Sequence, residues 1–530
     1  MKRFWGSCLL LFLCLPLFAQ GGSSVHRNAD KIARALYYLE NRYVDTVNLD
    51  AMVDAMLDGL MAQLDPHSTY IPRDKVESVN ESLDGSFEGV GIEFAIIADT
   101  VTVQRVIAGG PSEAAGLRAG DKLLEVDGEP AAGVGIDTDD VRRLLRGPKG
   151  SWVQITIQRG ENRQTFSIRR DTIPLESIDA AYSPEPGIVY LKLSRFAQGT
   201  VDEFIDALRK NAERRPEGII IDLRGNGGGF MHVAATIADM FLEKGETIVR
   251  VEGGGNGIFE EDRATGRGFY KEGPLVVLVD ENSASASEIL TGALQDWDRA
   301  VIVGRKTFGK GLIQHQYTLP DGSEMRLTVA RYHTPSGRMV QSPYEKGKRD
   351  VYYSQARNRY ARGESFSLDS IALPDSLRYT TLKLGRTVYG GGGILPDVFV
   401  PYDTSRYNHR YLMRVIGSGA LSEYTYDYID KHREALQAEN LTDFLALYAP
   451  MEERVFEGLV AYCQEKGIEA EAGELEVCEP VLRTRLKALL ARSPLGLTGY
   501  WQVINREEDP EFQQALNLIA RWKATGSAPF

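Results

Sequence analysis

Residues 218–239 read GIIIDLRGNGGGFMHVAATIAD, and this stretch decides the fold class. A short apolar run enters a glycine-rich loop, and a helical pattern follows the loop. The same order returns at residues 274–297, where PLVVLVD precedes a serine-rich loop and the helical segment SEILTGALQDW. Strand, loop and helix in repetition predict a layered α/β unit with its functional groups at the carboxyl ends of the strands.

Two glycine-rich segments resemble nucleotide-binding loops, but neither has the complete pattern. Phe230 stands where a dinucleotide fingerprint requires its third glycine. Residues 304–310 match a P-loop through Lys310, but Gly311 replaces the magnesium-binding Ser or Thr, and the next residues alternate like a strand. Nucleotide hydrolysis is therefore disfavoured, while N–H groups of the glycine loop can still hold an oxyanion.

The net charge and the scattered cysteine and histidine residues argue against nucleic-acid binding and against a metal site. The net charge of −13 argues against a nucleic-acid partner, because phosphate binding needs a basic face. No Cys or His cluster has zinc spacing, so we expect no metal and no cofactor. Cys463 and Cys478 could pair in an oxidising compartment, and the pattern leaves this disulfide open.

The N-terminus has the pattern of a signal peptide. Lys2 and Arg3 precede the apolar run CLLLFLCLPLF, which ends near the small residue Ala19. This run is too short to span a bilayer. We therefore expect a periplasmic or secreted protein after cleavage, either soluble or held by a lipid on Cys14.

The remaining chain divides into four parts by composition and periodicity. Apolar spacing of three and four predicts helices at both ends, and short alternating runs predict a β-rich unit before the α/β core. The predicted divisions are 1–20 (signal peptide), 21–83 (helical), 84–171 (β-rich), 172–400 (α/β core with a polar surface insertion at 341–390) and 401–530 (helical). The last part is expected to serve packing, homo-oligomerisation or adaptor contact.

The β-rich unit resembles a PDZ domain. Gly89-Val90-Gly91-Ile92 is followed by PSEAAGLRAGDKLLEVDG (111–128) and LLRGPKGS (144–151) in that order. In the PDZ fold, the first loop offers N–H groups to a peptide carboxylate, and the following strand pairs with the peptide. The resemblance implies a peptide-binding site at residues 89–92.

Serine, lysine and glutamine form the one constellation that can carry chemistry. A Ser-His-Asp triad is disfavoured, because G-x-S-x-G is absent and alternation puts His315 on the face opposite Lys310. A lysine activates a serine only if burial lowers its pKa, and Lys310 lies among apolar and glycine residues. Gln314 shares its face and could orient the amine. The segment ENSASASEIL (281–290) offers three serines, and spacing alone leaves the nucleophile open.

The combined motifs resemble the carboxyl-terminal processing (tail-specific) proteases. The segments that carry the resemblance are DPHSTYIP (65–72), IDLRGNGGG (221–229), SASASEI (283–289), TFGKG (307–311), RLTVARYHTPSGR (326–338) and GGGILPDVFV (391–400). They occur in order over roughly residues 30–400. The family often has Asn where Gly225 stands and Pro where Gly227 stands. The implied fold is multidomain α+β, with a crotonase-like protease core, an inserted PDZ domain and flanking helical regions.

The resemblance also implies roles for single residues. Ser285 would be the nucleophile and Lys310 its base, with Gln314 orienting the lysine. Ala286 and Gly228 would supply the oxyanion N–H groups. Arg146 would couple peptide binding to the active site.

The implied activity is a serine endopeptidase acting on proteins with accessible C-terminal tails. The PDZ domain would bind the substrate C-terminus or an activating peptide. Ser285 and Glu288 also have the S-x-x-E spacing of a helix-capping box, so this loop is expected to start a helix. The rival from another class is a catalytically silent PDZ scaffold that only binds peptides.

Overall fold

The structure, a computed structural model, describes residues 19–97, 99–212, 215–253, 259–407 and 409–530. Residues 1–18 of the predicted signal peptide lie outside these ranges. Within them, no helix combines the length and the apolar character that crossing a membrane requires.

Helices flank the core and also cover it. The α-helices are α1 (Ala19–Arg42), α2 (Leu49–Ala62), α3 (Arg73–Asp84), α4 (Pro111–Ala115), α5 (Thr138–Leu145), α6 (Thr200–Asn211), α7 (Met231–Asp239), α8 (Ala286–Asp296), α9 (Arg349–Arg357), α10 (Thr404–Tyr407), α11 (Arg410–Gly417), α12 (Ala420–His432), α13 (Leu441–Tyr448), α14 (Glu452–Glu465), α15 (Glu474–Glu507, broken at Gly496) and α16 (Pro510–Thr525). Short 3-10 helices lie at Leu368–Ser370, Asp375–Leu377, Arg433–Leu436 and Ala449–Met451.

The strands build three main sheets and two short pairs. They are β1 (Thr69–Ile71), β2 (Ser86–Gly89), β3 (Ile92–Ile97), β4 (Thr100–Val106), β5 (Lys122–Val126), β6 (Glu129–Pro130), β7 (Trp152–Arg159), β8 (Asn162–Arg169), β9 (Asp171–Pro174), β10 (Ile178–Tyr182), β11 (Ile188–Leu193), β12 (Gly218–Asp222), β13 (Thr247–Gly253), β14 (Phe259–Arg263), β15 (Leu275–Val279), β16 (Val301–Gly304), β17 (Leu312–Thr318), β18 (Glu324–His333), β19 (Arg378–Thr380), β20 (Thr387–Tyr389) and β21 (Val398–Phe399).

A six-stranded sheet forms the centre of the α/β core, with the order β10-β11-β12-β15-β16-β21. Its neighbouring strands are parallel except for β10 and β11. Helices α6, α7 and α8 pack on one face, and α16 packs on the other. Because both faces are covered, strands such as β12 and β15 read as continuous apolar runs, as the sequence predicted.

A second, antiparallel sheet lies beside the first and brings distant segments together. Its order is β1-β18-β13-β14, and β17 also pairs with β18. Strand β1 follows the first helices, and its residues Thr69 and Tyr70 pair with Arg326 and Met325 of β18. The N-terminal segment is therefore built into the core and reaches the strands that follow Lys310.

The PDZ-like unit has its own sheet and its own core. Its sheet runs β3-β4-β5-β7-β8, with β6 paired to β5, and strand β3 forms one edge. Val101, Leu123 and Ile155 are fully buried within it. Strands β2 and β9, where the chain enters and leaves, pair with each other. The β-rich unit, the α/β core and the flanking helices together confirm the predicted multidomain α+β fold class.

The C-terminal helices have two packing roles. Helices α11 to α15 enclose a separate core that includes Phe444, Leu459 and Leu486. Helix α16 instead leaves this bundle and places Phe512 and Ile519 on the six-stranded sheet. The final helix is thus a structural layer of the α/β core.

Helix α9, within the predicted surface insertion at 341–390, is exposed on one side and contacts the core on the other. Tyr352 is only 4% exposed, and its hydroxyl donates to the Gly309 carbonyl at 3.4 Å. The hydroxyl of Tyr353 donates to the Pro66 carbonyl at 3.0 Å. Tyrosine in a polar sequence suggests exposure, but its ring can be buried when the hydroxyl finds an acceptor.

The packing of α16 predicts that this helix stabilises the core. Ile519 is fully buried, so Ile519→Ala should lower the free energy of unfolding by about 2–5 kcal/mol through lost contacts and a cavity. Urea denaturation followed by circular dichroism measures this change. The control Ile416→Ala changes a side chain that is 46% exposed and should cost less than about 0.5 kcal/mol. Equal losses from both variants would contradict the packing role.

Candidate active site

Three loops meet at one edge of the six-stranded sheet. The glycine loop follows β12, Ser285 follows β15 and Lys310 follows β16. These strands are parallel neighbours, so their carboxyl ends lie side by side. The structure therefore brings the predicted glycine loop, serine and lysine to a common site.

Ser285 occupies a strained turn immediately before α8. Its φ of 56° and ψ of −113° are unfavourable for a residue other than glycine and persist only when the surroundings impose them. The glycine loop provides this restraint, because the Asn226 carbonyl accepts from Ala284 N at 3.0 Å and from the Ser287 hydroxyl at 2.9 Å. Such strain is typical of functional turns.

The other two serines of the segment are buried and hold the turn in place. The Ser283 hydroxyl donates to the Leu223 carbonyl at 2.8 Å and accepts from Asp280 N at 3.0 Å. Ser283 and Ser287 are fully buried, whereas Ser285 is partly exposed. Among the three, Ser285 is the serine that a substrate can reach.

One buried carboxylate, that of Glu288, connects the segment of Ser285 to the segment of Lys310. Its Oε2 accepts from the backbone N of Ser285 at 2.9 Å and of Lys310 at 2.8 Å. Its Oε1 accepts from the Thr307 hydroxyl at 2.6 Å and Gly309 N at 2.7 Å. Burial raises the pKa of Glu288 to about 7, although these hydrogen bonds favour the carboxylate.

Tyr332 contacts the backbone carbonyls of the same two residues, Ser285 and Lys310. Its hydroxyl lies within donor distance of the Lys310 carbonyl (2.6 Å) and the Ser285 carbonyl (3.1 Å). Burial raises the pKa of Tyr332 well above its ordinary value, so the hydroxyl keeps the proton it donates. The backbones of Ser285 and Lys310 are thus held between one acceptor and one donor.

Lys310 is a buried cationic side chain with an amide as its hydrogen-bond partner. Its Nζ donates to Gln314 Oε1 at 3.1 Å. Burial lowers the pKa of Lys310, and the nearby Arg326 charge lowers it further, while Glu288 and Asp65 act in the opposite direction. Within the described ranges, no hydrogen bond joins Lys310 Nζ to the Ser285 hydroxyl. The surroundings of the amine therefore lower its pKa, and its hydrogen-bond acceptor is Gln314.

The residues suggested for the oxyanion lie next to Ser285. Ala286 is the first residue of α8, and its N–H has no partner among the residues described. A Cβ on Gly228 would come within 2.8 Å of Ser285 Cβ, so the two backbones are in contact. The Gly228 N–H donates to Asn226 Oδ1 at 2.9 Å. One of the two suggested donors is therefore free here, and the other is engaged.

The predicted peptide loop lies at the mouth of a groove. A cavity of about 750 Å³ runs between β3 and α5 and is lined by residues that include Val90, Ile92 and Val141. The Val90 carbonyl accepts from Ser112, and the Gly91 carbonyl accepts from Ile107 N, so both point into the unit. Strand β3 is an edge strand, and an added peptide strand could pair with it.

Arg146 lies at the end of α5, between the PDZ-like unit and α3. Its guanidinium pairs with Glu81 of α3 and lies over the Phe87 ring, 5.1 Å from the ring centroid. Burial raises the pKa of Glu81, and the positive charge of Arg146 opposes this rise. The structure does not bring Arg146 together with Ser285, Lys310 or Gln314, and its coupling role stays a prediction.

Sequence reasoning missed two residues of the site. It treated Glu288 as a capping residue, and the S-x-x-E spacing gave no sign that the carboxylate also binds Lys310. Tyr332 lies within the segment 326–338 that carries part of the family resemblance, but nothing in that pattern indicates that its hydroxyl reaches the carbonyls of Ser285 and Lys310. Both act through contacts with residues far away in sequence.

The four hydrogen bonds of Glu288 predict a strong dependence of activity on its charge. Glu288→Gln should lower kcat for cleavage of an unfolded protein at least about 10-fold, because an amide leaves some of these buried donors unpaired. The matched control Glu161→Gln changes an exposed carboxylate and should have no effect. Wild-type kcat in Glu288→Gln would show that the carboxylate is dispensable.

The tight contact at Gly228 gives a second prediction. In Gly228→Ala the new Cβ would press on the Ala284 carbonyl and Ser285 Cβ, each 2.8 Å away, and φ of 106° disfavours alanine. We expect kcat to fall about 100-fold, because displacing the nucleophile costs rate steeply. Gly227→Ala meets open space and should cause a smaller loss. Similar steady-state rates for both variants would refute this contact.

Three parts of the chain match models of known protein families. The model of peptidase family S41 matches residues 187–346, a PDZ domain model matches 102–159, and a family of unknown function matches 411–496. The chain is similar to a photosystem II D1 C-terminal processing protease, with 27% identity, 72% of this chain and 88% of that chain covered, and a TM-score of 0.36.

Two curated relatives match over most of their length. Carboxy-terminal processing protease CtpB of Bacillus subtilis is 33% identical over 332 residues, which cover 62% of this chain and 68% of the relative. A probable CtpA-like serine protease of Staphylococcus aureus is 32% identical over 372 residues, covering 68% and 72%. The chain therefore belongs to the carboxy-terminal processing serine proteases of peptidase family S41 and carries a PDZ domain.

Proposed function

We propose that the protein is an endopeptidase that uses a Ser285–Lys310 dyad. The observation that carries this proposal is the double connection between the two residues, by the Glu288 carboxylate and the Tyr332 hydroxyl. It holds the backbones of Ser285 and Lys310 in one frame, and burial lowers the pKa of the Lys310 amine. A neutral amine can take a serine proton, and an exposed lysine at neutral pH cannot.

The reaction proceeds in two halves. Ser285 Oγ attacks the peptide carbonyl carbon while Lys310 Nζ takes the hydroxyl proton, and the carbonyl electrons form an oxyanion. The C–N bond then breaks, and Lys310 returns the proton to the leaving amine, which leaves an acyl-enzyme. A water molecule attacks the ester with Lys310 as base, and Ser285 Oγ recovers its proton.

The oxyanion is stabilised at the start of α8. Ala286 N–H is the first donor, supported by its place at a helix N-terminus and by its lack of another partner among the described residues. Gly228 N–H is the second donor. Because it donates to Asn226 in the free protein, it must exchange this acceptor for the oxyanion during the reaction.

The substrates are proteins with accessible, flexible C-terminal tails. The groove between β3 and α5 supports binding of the substrate C-terminus or an activating peptide at Gly89, Val90, Gly91 and Ile92. Arg146 couples the occupied groove to the catalytic residues. The charged n-region and apolar run at the N-terminus support a periplasmic or secreted location. Oligomer or adaptor contacts through residues 401–530 belong to the same proposal.

A catalytically silent peptide-binding scaffold is the second candidate. The observation that favours it is the orientation of Lys310 Nζ, which is bonded to Gln314 and not to the Ser285 hydroxyl. Free enzymes often show long catalytic hydrogen bonds that tighten only with substrate. The two candidates differ in one outcome, which is whether peptide bonds are cleaved.

Substitution of the dyad tests the proposal. The purified wild type should cleave a denatured protein bearing an apolar C-terminal tail without added metal or nucleotide, and Ser285→Ala should not. Lys310→Arg should lower kcat at least about 100-fold, because a guanidinium does not give up its proton. The controls Ser183→Ala and Lys523→Arg change exposed residues and should retain activity. Equal cleavage by wild type and Ser285→Ala, or no cleavage by either protein, would contradict the proposal.

The pH dependence of the same reaction follows from the two buried groups. Lys310 acts only as the neutral amine, so kcat/KM should rise with pH, with its midpoint below the ordinary lysine pKa of about 10.4. Protonation of Glu288 below about pH 7 removes acceptors from Ser285 and Lys310, so activity should fall further on the acid side. A profile that falls between neutral and mildly alkaline pH would contradict a lysine base.

A further inference from the structure

Residues 65–68 form a short loop before β1. The carboxylate of Asp65 holds this loop in place, and the loop lies against β18. Asp65 Oδ1 accepts from His67 N and Ser68 N, both at 2.9 Å, and Asp65 Oδ2 accepts from the Ser68 hydroxyl at 2.6 Å. All three residues are at least nine-tenths buried. The loop therefore has one conformation, set by its own first residue.

Thr328 of β18 attaches this loop beside Gln314. The Thr328 hydroxyl donates to Asp65 Oδ1 at 2.9 Å, and Thr328 N donates to the Ser68 hydroxyl at 3.1 Å. Thr328 is the direct partner of Gln314 in the pairing of β17 with β18. A bulge between Ile313 and Gln314 marks the same point of the ladder. The loop is thus attached to Thr328, the residue that pairs with Gln314.

The attached loop determines which way the Gln314 amide points. Gln314 Nε2 donates to the His67 carbonyl, a group that can only accept. The amide oxygen must then face the other way, where it accepts from Lys310 Nζ at 3.1 Å. Without the His67 carbonyl, the amide could turn its NH₂ group toward the lysine and lose this bond.

The insertion holds the loop from its outer side. Tyr353 of α9 donates to the Pro66 carbonyl at 3.0 Å, and the Tyr352 ring meets the His67 ring edge-on at 5.2 Å. Burial, with a smaller contribution from the charge of Lys310, lowers the pKa of His67 to about 4, so the imidazole is neutral at neutral pH. The loop therefore presents a neutral imidazole and one fixed carbonyl toward this part of the site, while the charge of Asp65 raises the pKa of Lys310.

We propose that Asp65, Ser68 and Thr328 are positioning residues for the Ser–Lys reaction, acting through the His67 carbonyl and Gln314 on the direction of the Lys310 amine. This inference rests on the proposed function. It assigns a role in the reaction to a segment that lies 247 positions from Gln314 in sequence. A merely structural loop would affect folding but would not act through one amide.

A double-mutant cycle separates these two roles. Ser68→Ala removes the hydroxyl that bonds both Asp65 and Thr328 N. In the full-length protein, we expect Ser68→Ala to lower kcat about 10-fold with little change in KM. Ser68→Thr should restore most of the rate. Thr328→Val removes the other attachment without changing side-chain size and should act in the same direction. Ser78→Ala is the matched control, because Ser78 lies on the exposed face of α3.

The decisive comparison uses Gln314→Ala as the background. If the loop acts through Gln314, adding Ser68→Ala to Gln314→Ala should cost little or no further rate. In Ser68→Ala alone, the rise of kcat/KM with pH should shift to lower pH, because the ammonium loses its acceptor. The same fold loss in both backgrounds, or a wild-type rate in Ser68→Ala and Thr328→Val, would overturn the proposal.

A failure of this positioning proposal can be distinguished from a failure of the proposed function. If the protein does not cleave, or if Ser285→Ala cleaves as well as the wild type, then the dyad itself is wrong. If the wild type cleaves and Ser285→Ala does not, the cycle reports on the loop alone. A Ser68→Ala variant that unfolds is replaced by Thr328→Val in the same Gln314→Ala comparison.

Discussion

The site depends on one constraint, the attachment of two backbones to the buried carboxylate of Glu288. Ser285 and Lys310 stand at the ends of neighbouring strands, and nothing in a parallel sheet fixes the distance between two such loops. Glu288 supplies that distance by accepting from both backbones, and Tyr332 supplies the complementary donor. A charge buried this deeply is costly unless all its hydrogen-bonding capacity is used, and here both oxygens accept two bonds each. The strained backbone conformation of Ser285 persists only because these hydrogen bonds restrain it.

The rest of the fold supplies rigidity to this frame. Both faces of the six-stranded sheet are covered, one by α6 to α8 and the other by α16, so the strand ends cannot shift independently. Helix α8 is buried all round, which anchors Ala286 and Glu288 in the core. The antiparallel sheet then adds β17 and β18, and with them Gln314 and Tyr332. The proposed catalytic groups are therefore carried by several elements, and packing together with the hydrogen bonds of Glu288 and Tyr332 keeps them in register.

Much of this was predictable where local pattern decides. Apolar runs between glycine and serine loops predicted the α/β layer. Composition and alternation pointed to Lys310 and Gln314, and the family resemblance alone chose Ser285 among the three serines. Long-range packing was not predictable. Because both faces of the core strands are apolar, the pattern could not tell that α16 covers one of them. The burial of the Tyr352 ring was not predictable, because the insertion around it is polar and the acceptor of its hydroxyl lies far away in sequence. The shared carboxylate escaped prediction because its spacing is explained equally well by a helix cap.

The site is also assembled late in the synthesis of the chain. Its parts come from residues 65–68, 285–288, 310–314, 332 and 352–353, and the bond between Gln314 and His67 alone spans 247 positions. Such non-local contacts form only after most of the chain has collapsed. In the proposed mechanism, a chain interrupted before residue 353 carries Ser285 without the complete set of contacts that surround it. Peptide cleavage would then begin only after this part of the chain has been synthesised and folded.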